Sequence, residues 1–137
     1  MKLEGRLIPP TETSSRYWAI EVPVIGLHTQ GKNQRQALIM IKDAIFHLSK
    51  GIEVDLTLGE NHIFWVGAND QKAFLAFILS RVRTEQKLKI REASQRVGSK
   101  SPNTFGRYEQ GKAMPRLDTL ESILKALNPK IQIVLKT

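Results

Sequence analysis

The sequence predicts an α+β domain over residues 1–68, followed by an all-α domain over residues 69–137 that closes with a strand. Three observations carry this. In the first half, short runs that alternate apolar and polar residues surround one long segment whose apolar residues recur every three or four positions. Between residues 71 and 127 the three-and-four spacing returns in successive segments separated by glycine and proline turns. Charge divides at the same place: residues 1–69 hold 7 Lys+Arg against 7 Asp+Glu and residues 70–137 hold 14 against 6, so the whole net charge of +8 lies in the second half.

Lys2 to Pro9 and Arg16 to Pro23 are extended runs joined by the polar turn segment Pro10 to Ser15, a hairpin pattern. In the second run Trp18, Ile20 and Val22 share one face and Tyr17, Ala19 and Glu21 the other, which assigns Trp18 to the core. Ile25 to Gly31 is a third strand or connector closed by glycine. Asn33 to Lys50 is the clearest helix of this half. Asn33 and Gln36 form a capping pair, Ala37, Leu38, Ile41, Ala44, Ile45 and Leu48 line one face, and Gly51 ends it. Ile52 to Leu58 alternates as a further strand, and His62 to Gly67 follows the Gly59-Glu60-Asn61 turn as another. Strands with one helix on a sheet face make a small α+β layer.

Ala68-Asn69-Asp70 is the expected junction, with Asp70 or Asn69 capping the next helix. From Gln71 to about Lys87, the stripe Phe74, Leu75, Ile78, Leu79 and Val82 marks a helix that serves as a floor. Leu117, Leu120, Leu124 and Leu127 mark a closing helix that ends near Asn128-Pro129. The tail, Lys130 to Lys136, returns to strand alternation. A lone strand is not stable by itself, so it adds to the first-half sheet or pairs with another copy of the chain, and we read dimerisation.

Between floor and closing helix lies Ile90 to Pro115. Ile90, Ala93 and Val97 give one apolar face, and Gly98 stops that helix. Ser101 can cap a second helix, with Pro102 at its first position, where no N–H is required. Phe105 and Tyr108 fall on one side and Asn103 and Arg107 on the other. This pattern, and above all Arg107-Tyr108-Glu109-Gln110-Gly111 followed by Pro115, resembles the helix-turn-helix of the large repressor family that includes the phage repressors. Ser94 stands where a small alanine is usual, and the turn has one residue more than the commonest pattern. That insertion leaves open which of Lys100, Ser101 and Asn103 reads bases.

The resemblance implies that the second helix enters the major groove of double-stranded operator DNA. Lys100, Ser101, Asn103, Thr104 and Arg107 would then occupy the turn and the exposed helix face. Arg107 suits guanine O6 and N7 and Asn103 suits adenine, while Lys112 and Arg116, beyond the helix, suit phosphate. Glu109 is read as structural, tying the helix end to a neighbour. Gly106 costs about 1 kcal/mol inside a helix, and close approach to DNA or plain tolerance would equally account for it. A basic half carrying such a motif is the electrostatic footprint of a phosphate-backbone partner.

The element order of the first half, with the run Gly26 to Gly31 leading into Gln36-Ala37-Leu38 and Ile41 to Ile45, resembles the N-terminal domain of HicB-type antitoxins. That resemblance implies a partial ribonuclease H-like fold, a HicA-type ribonuclease toxin as partner and, with the repressor-like second half, repression of the shared operon. Tyr17 and Glu21, on the strand face opposite Trp18, are the candidate toxin contacts.

Other chemistry has little footing. With no cysteine there is no disulfide framework, thiol nucleophile or thiolate metal site. His28, His47 and His62 are isolated from one another, and Glu4, Glu21, Glu53 and Asp55 read as a solvated sheet face rather than as converging two-metal ligands. The reading is therefore non-enzymatic, with no catalytic residue, metal or cofactor. No stretch is apolar enough to span a bilayer and no leader pattern is present, so a cytoplasmic protein is expected, acting as a homodimer or higher oligomer. The competing readings are a stand-alone transcriptional regulator whose first domain senses a ligand or dimerises, and a nuclease.

Overall fold

The computed structural model describes residues 1–99 and 101–137. The chain divides into two compact units, Met1–Gln71 and Lys72–Thr137.

The first unit is a five-stranded antiparallel sheet with one long helix. Strands β1 (Leu3–Ile8), β2 (Trp18–Val22), β3 (Leu27–Gly31), β4 (Asp55–Leu58) and β5 (Ile63–Gly67) lie in the order β3-β2-β1-β5-β4. A three-stranded meander, β1–β2–β3, and a hairpin, β4–β5, meet where β1 pairs with β5, Gly5 opposite Phe64. Alternation directs Leu3, Leu7, Ile20, Val22, Phe64 and Val66 to one face, where all are buried. Gly5 shares that face because the Phe64 ring fills its side-chain space; a Cβ there would fall within the ring.

The helix α2 (Gln34–Leu48) packs over β2 and β3 and buries Ala37, Ile41 and Ile45. It starts as the sequence implies. Asn33 accepts from the Gln36 N–H (2.8 Å), and the Gln36 side chain accepts from the Lys32 N–H (2.6 Å). Gly31 must stay small, since a Cβ would meet the backbone of Ala37. The helix end differs in detail: Lys50 takes the left-handed backbone (φ 59°) and Gly51 follows, donating to the Phe46 carbonyl at 2.8 Å. Leu48, read as part of the packing face, is exposed in the last turn.

Three expectations for this unit need correction. The segment joining β1 and β2 contains a short helix, α1 (Pro10–Thr13), rather than only a turn, because Pro10 presets its first position. Trp18 is half-buried, not core. It lies at the start of β2, with its ring edge-on to His62 at 5.4 Å. The strand expected from Ile52 is regular only from Asp55; Val54 is buried, but pairing with β5 begins at Asp55 opposite Gly67.

The second unit is helical. Its helices are α3 (Gln71–Glu85), α4 (Ile90–Arg96), α5 (Pro102–Glu109) and α6 (Leu117–Leu127). In α3, burial extends beyond the expected stripe to Ala76 and Phe77, so the floor helix is enclosed on more than one side. In α6 the buried residues are Ile123, Leu124 and Leu127, with Leu120 half-buried and Leu117 69% exposed. The stripe is rotated: Leu117, in the first turn, lies outside it. The expected closing strand does not form. Residues 131–137 hold no regular secondary structure.

Candidate nucleic-acid interface

The turn between α4 and α5 is built from local hydrogen bonds. At the start of α4 the Lys89 N–H donates to Glu92 Oε1 (3.0 Å). At its end Gly98 adopts φ 72°, its N–H reaching the Gln95 carbonyl (3.1 Å) while the Ser99 N–H reaches that of Ser94 (3.0 Å). This is the paired 6→1 and 5→2 closure that glycine favours. Ser99 Oγ then donates to the Ser101 carbonyl (2.8 Å) and accepts from the Ser101 N–H (3.3 Å). Ser101 in turn caps α5, its Oγ accepting from the Asn103 N–H at 3.3 Å. The far end of α5 repeats the glycine closure, with Gly111 at φ 68° and the Lys112 N–H on the Arg107 carbonyl (3.0 Å).

Helix α5 is anchored by Phe105, 1% exposed, and packs on α4, whose Ala93 and Ser94 are buried. Small residues there let the two helices approach. Asn103, Thr104 and Arg107 are exposed along the outer side of α5; Ser101 is half-buried at its cap, and Lys112 and Arg116 are exposed beyond its end. Lys100 lies outside the described residues. The structure thus brings Asn103, Thr104 and Arg107 onto one helix, with Lys112 and Arg116 following it. Gly106 faces inward: a Cβ there would lie 3.9 Å from Ile90 Cγ2 of α4, an ordinary contact.

The orientation of α5 rests on an ion pair. Arg83 of α3 holds Glu109 through two bonds, Nε to Oε2 at 2.6 Å and Nη2 to Oε1 at 2.9 Å, and Nη1 donates to the Leu88 carbonyl at 2.7 Å. The side chains are 15% and 8% exposed. One guanidinium therefore fixes the floor helix, the turn after it and the last turn of α5, with the bidentate geometry that only arginine provides. Arg83 is the neighbour to which Glu109 is tied. Sequence spacing could not reveal it across 26 positions. Gln95 and Arg96, exposed in the last turn of α4, also went unassigned as site residues; in helix-turn-helix docking the first helix crosses the DNA backbone. Their place immediately before the Gly98 stop was the available signal.

Residues 79–131 match the family model described as Helix-turn-helix. The second unit is a repressor-like helix-turn-helix. The match covers α4, the turn, α5 and α6, and takes in Arg83 and Glu109. Motifs of this kind bind DNA, reading base edges with the second helix. No curated protein matches the chain.

On the first unit, Tyr17 and Glu21 are half-buried rather than exposed. Register places Glu21 between Arg6 and His28 on the face opposite the core, together with Glu4, Ile63 and Trp65. The nearest charge partner of Arg6 there is Glu4, at 3.7 Å. Glu4, Glu21 and Asp55 are distributed over three strands, and among the described residues no group of three or more His, Cys, Asp and Glu could hold a metal ion. No helix of the described residues is long and apolar enough to cross a membrane.

Proposed function

We propose that the chain is the antitoxin of a HicA/HicB-type pair, repressing its own operon through the helix-turn-helix and occluding a small ribonuclease toxin with its first unit. The observation that carries the DNA-binding part is the exposed row Asn103, Thr104 and Arg107 on a helix capped, anchored and clamped as a recognition helix must be. Arg107 pairs with guanine and Asn103 with adenine, and Lys112 and Arg116 neutralise phosphate. Ser101 and Lys100 complete the contact at the helix start. The protein acts as a homodimer, since one recognition helix reads only one half-site.

The antitoxin part rests on the resemblance of the first-half sequence to HicB-type domains, and the antiparallel sheet with one covering helix supports it. The first unit is not catalytic on this reading: its carboxylates line a sheet face without converging. Tyr17 and Glu21 belong to the toxin-facing surface. Inhibition is steric and electrostatic, by burial of the toxin's active centre.

The test is purification of the chain with the product of the adjacent reading frame. A stable complex that suppresses ribonuclease activity, and that still shifts promoter DNA, supports the proposal. Promoter binding without any such neighbour or complex would instead identify a stand-alone regulator. Metal-dependent cleavage of RNA by the chain would contradict the non-enzymatic reading.

A further inference from the structure

Strand β4 ends the order of the sheet, and among the described residues no strand pairs with its outer side. The ladder shows which of its backbone groups are free. The Leu7 N–H donates to the His62 carbonyl (2.8 Å) and the Gly59 N–H to the Ile63 carbonyl (2.7 Å). Bonding alternates along an antiparallel pair, so Phe64 and Val66 bond toward β1 while Trp65 and Gly67 bond toward Thr57 and Asp55 of β4. The N–H and C=O groups of Leu56 and Leu58 therefore point off the sheet. Lysine or proline commonly guards such an edge, and Asp55-Leu56-Thr57-Leu58 contains neither. Beside it, Asp55 and Leu56 line a groove of about 310 Å³ together with Arg35, Leu38, Ile39 and Lys42 of α2. Its apolar lining continues outward through Ile39, Phe46 and Leu58, which are 50%, 41% and 56% exposed. Arg35 and Lys42 are exposed, and among the described residues neither makes an ion pair. The groove thus sets two cations against the one carboxylate of Asp55.

We propose that this edge and groove bind an extended, acidic segment of a protein partner, which adds to β4 as a sixth strand and sets its carboxylates against Arg35 and Lys42. Strand addition supplies affinity through the free Leu56 and Leu58 backbone groups, and alternate side chains of the added strand supply specificity. Alternation places Leu56 and Leu58 on the α2 face, so every second residue of the added strand faces the groove. Arg35 and Lys42 are seven residues apart, about 10 Å along the helix, with Leu38 and Ile39 between them. An apolar residue flanked by two acidic residues, at positions i, i+2 and i+4 of the strand, matches that order. Charge argues against a second copy as occupant. Pairing β4 with β4 about an axis normal to the sheet keeps both α2 helices on one face and turns a second Arg35 and Lys42 toward the first. The groove lies on the sheet face opposite Glu21, so this site is distinct from the toxin-facing surface proposed above.

The test begins with a random peptide library displayed on phage and selected on the full chain. Enriched peptides should carry the alternating acidic, apolar, acidic pattern. The best of them, synthesised with a fluorescent label and measured by anisotropy, should bind about tenfold or more weakly to Arg35→Glu with Lys42→Glu. Both substitutions are on the surface, so circular dichroism should be unchanged. An added strand bonds to β4 through every second N–H, so N-methylation of alternate peptide amides should abolish binding in one phase and spare it in the other. Hydrogen exchange of the Leu56 and Leu58 N–H groups should be fast in the chain alone and slowed by the peptide. A selected pattern without acidic residues, equal affinity for the charge-reversed chain, or equal tolerance of both methylation phases would each overturn the proposal. So would slow exchange of both groups in the chain alone, which would assign the edge to a second copy. None of these readouts involves DNA or toxin, so the outcome is independent of the function proposed above.

Discussion

Arg107 and Lys112 lie five positions apart, on and just beyond the same helix, and they should fail differently. A bidentate arginine–guanine contact discriminates by about 1–3 kcal/mol against a wrong base. Arg107→Ala is therefore expected to flatten preference at one base pair of the operator, measured by competition against single-base variants. Lys112→Ala should weaken binding to all sequences about equally and reduce the slope of log K against log salt by about 1. Unchanged selectivity in Arg107→Ala would remove that residue from the interface. The Arg83–Glu109 pair gives a prediction of stability. With both side chains largely buried, Arg83→Ala leaves Glu109 without its counter-charge and is expected to cost about 3 kcal/mol, read as a lowered denaturation midpoint. What was legible at this scale was local: the Ser101 cap and the Phe105 anchor follow from neighbours within four positions. Arg83 was not, because its partners are set by how α3 and α5 pack. Trp18 was misjudged for a related reason: alternation assigns a face, but burial at a strand end depends on what covers it.

Helix α5 contains a glycine in its interior, and the structure shows room for more. An added Cβ at Gly106 meets Ile90 at an ordinary van der Waals distance. Gly106→Ala should therefore stabilise the second unit by about 1 kcal/mol, through helix propensity alone, and raise its melting temperature without weakening DNA binding. A loss of affinity in a more stable protein would return Gly106 to the interface. In the sheet the opposite holds: Gly5→Ala forces the Phe64 ring to move, and overpacking of this kind costs about 1–3 kcal/mol. Elements with many internal hydrogen bonds, such as α2 and the β1–β2 hairpin, were readable from period and caps. The tail is not a strand in the single chain because its pattern describes one whose stability depends on a partner. Likewise the rotated stripe of α6 reflects packing that the spacing of leucines, which also includes Leu117, does not determine.

At the scale of the whole molecule, charge and symmetry govern function. The entire excess of +8 lies in residues 70–137, the half that carries the helix-turn-helix, so affinity for any DNA should fall steeply with added salt while selectivity persists. Selectivity also needs two recognition helices about one DNA turn, or a multiple, apart. The division into an α+β half and a helical half was legible because period and charge change at the same point. Alternation also made the outer sheet face legible, with Glu21 beside Arg6 and Glu4 beside Trp65, because strand register sets which side chains share a face. The most direct test of the central claim is a footprint of the full chain on the promoter of its own gene, with scrambled DNA of the same length as competitor. The expected result is a pair of protected half-sites in register with the DNA turn, and binding about a thousandfold or more tighter than to the competitor. Equal affinity for promoter and scrambled DNA, with no discrete protection, would contradict it.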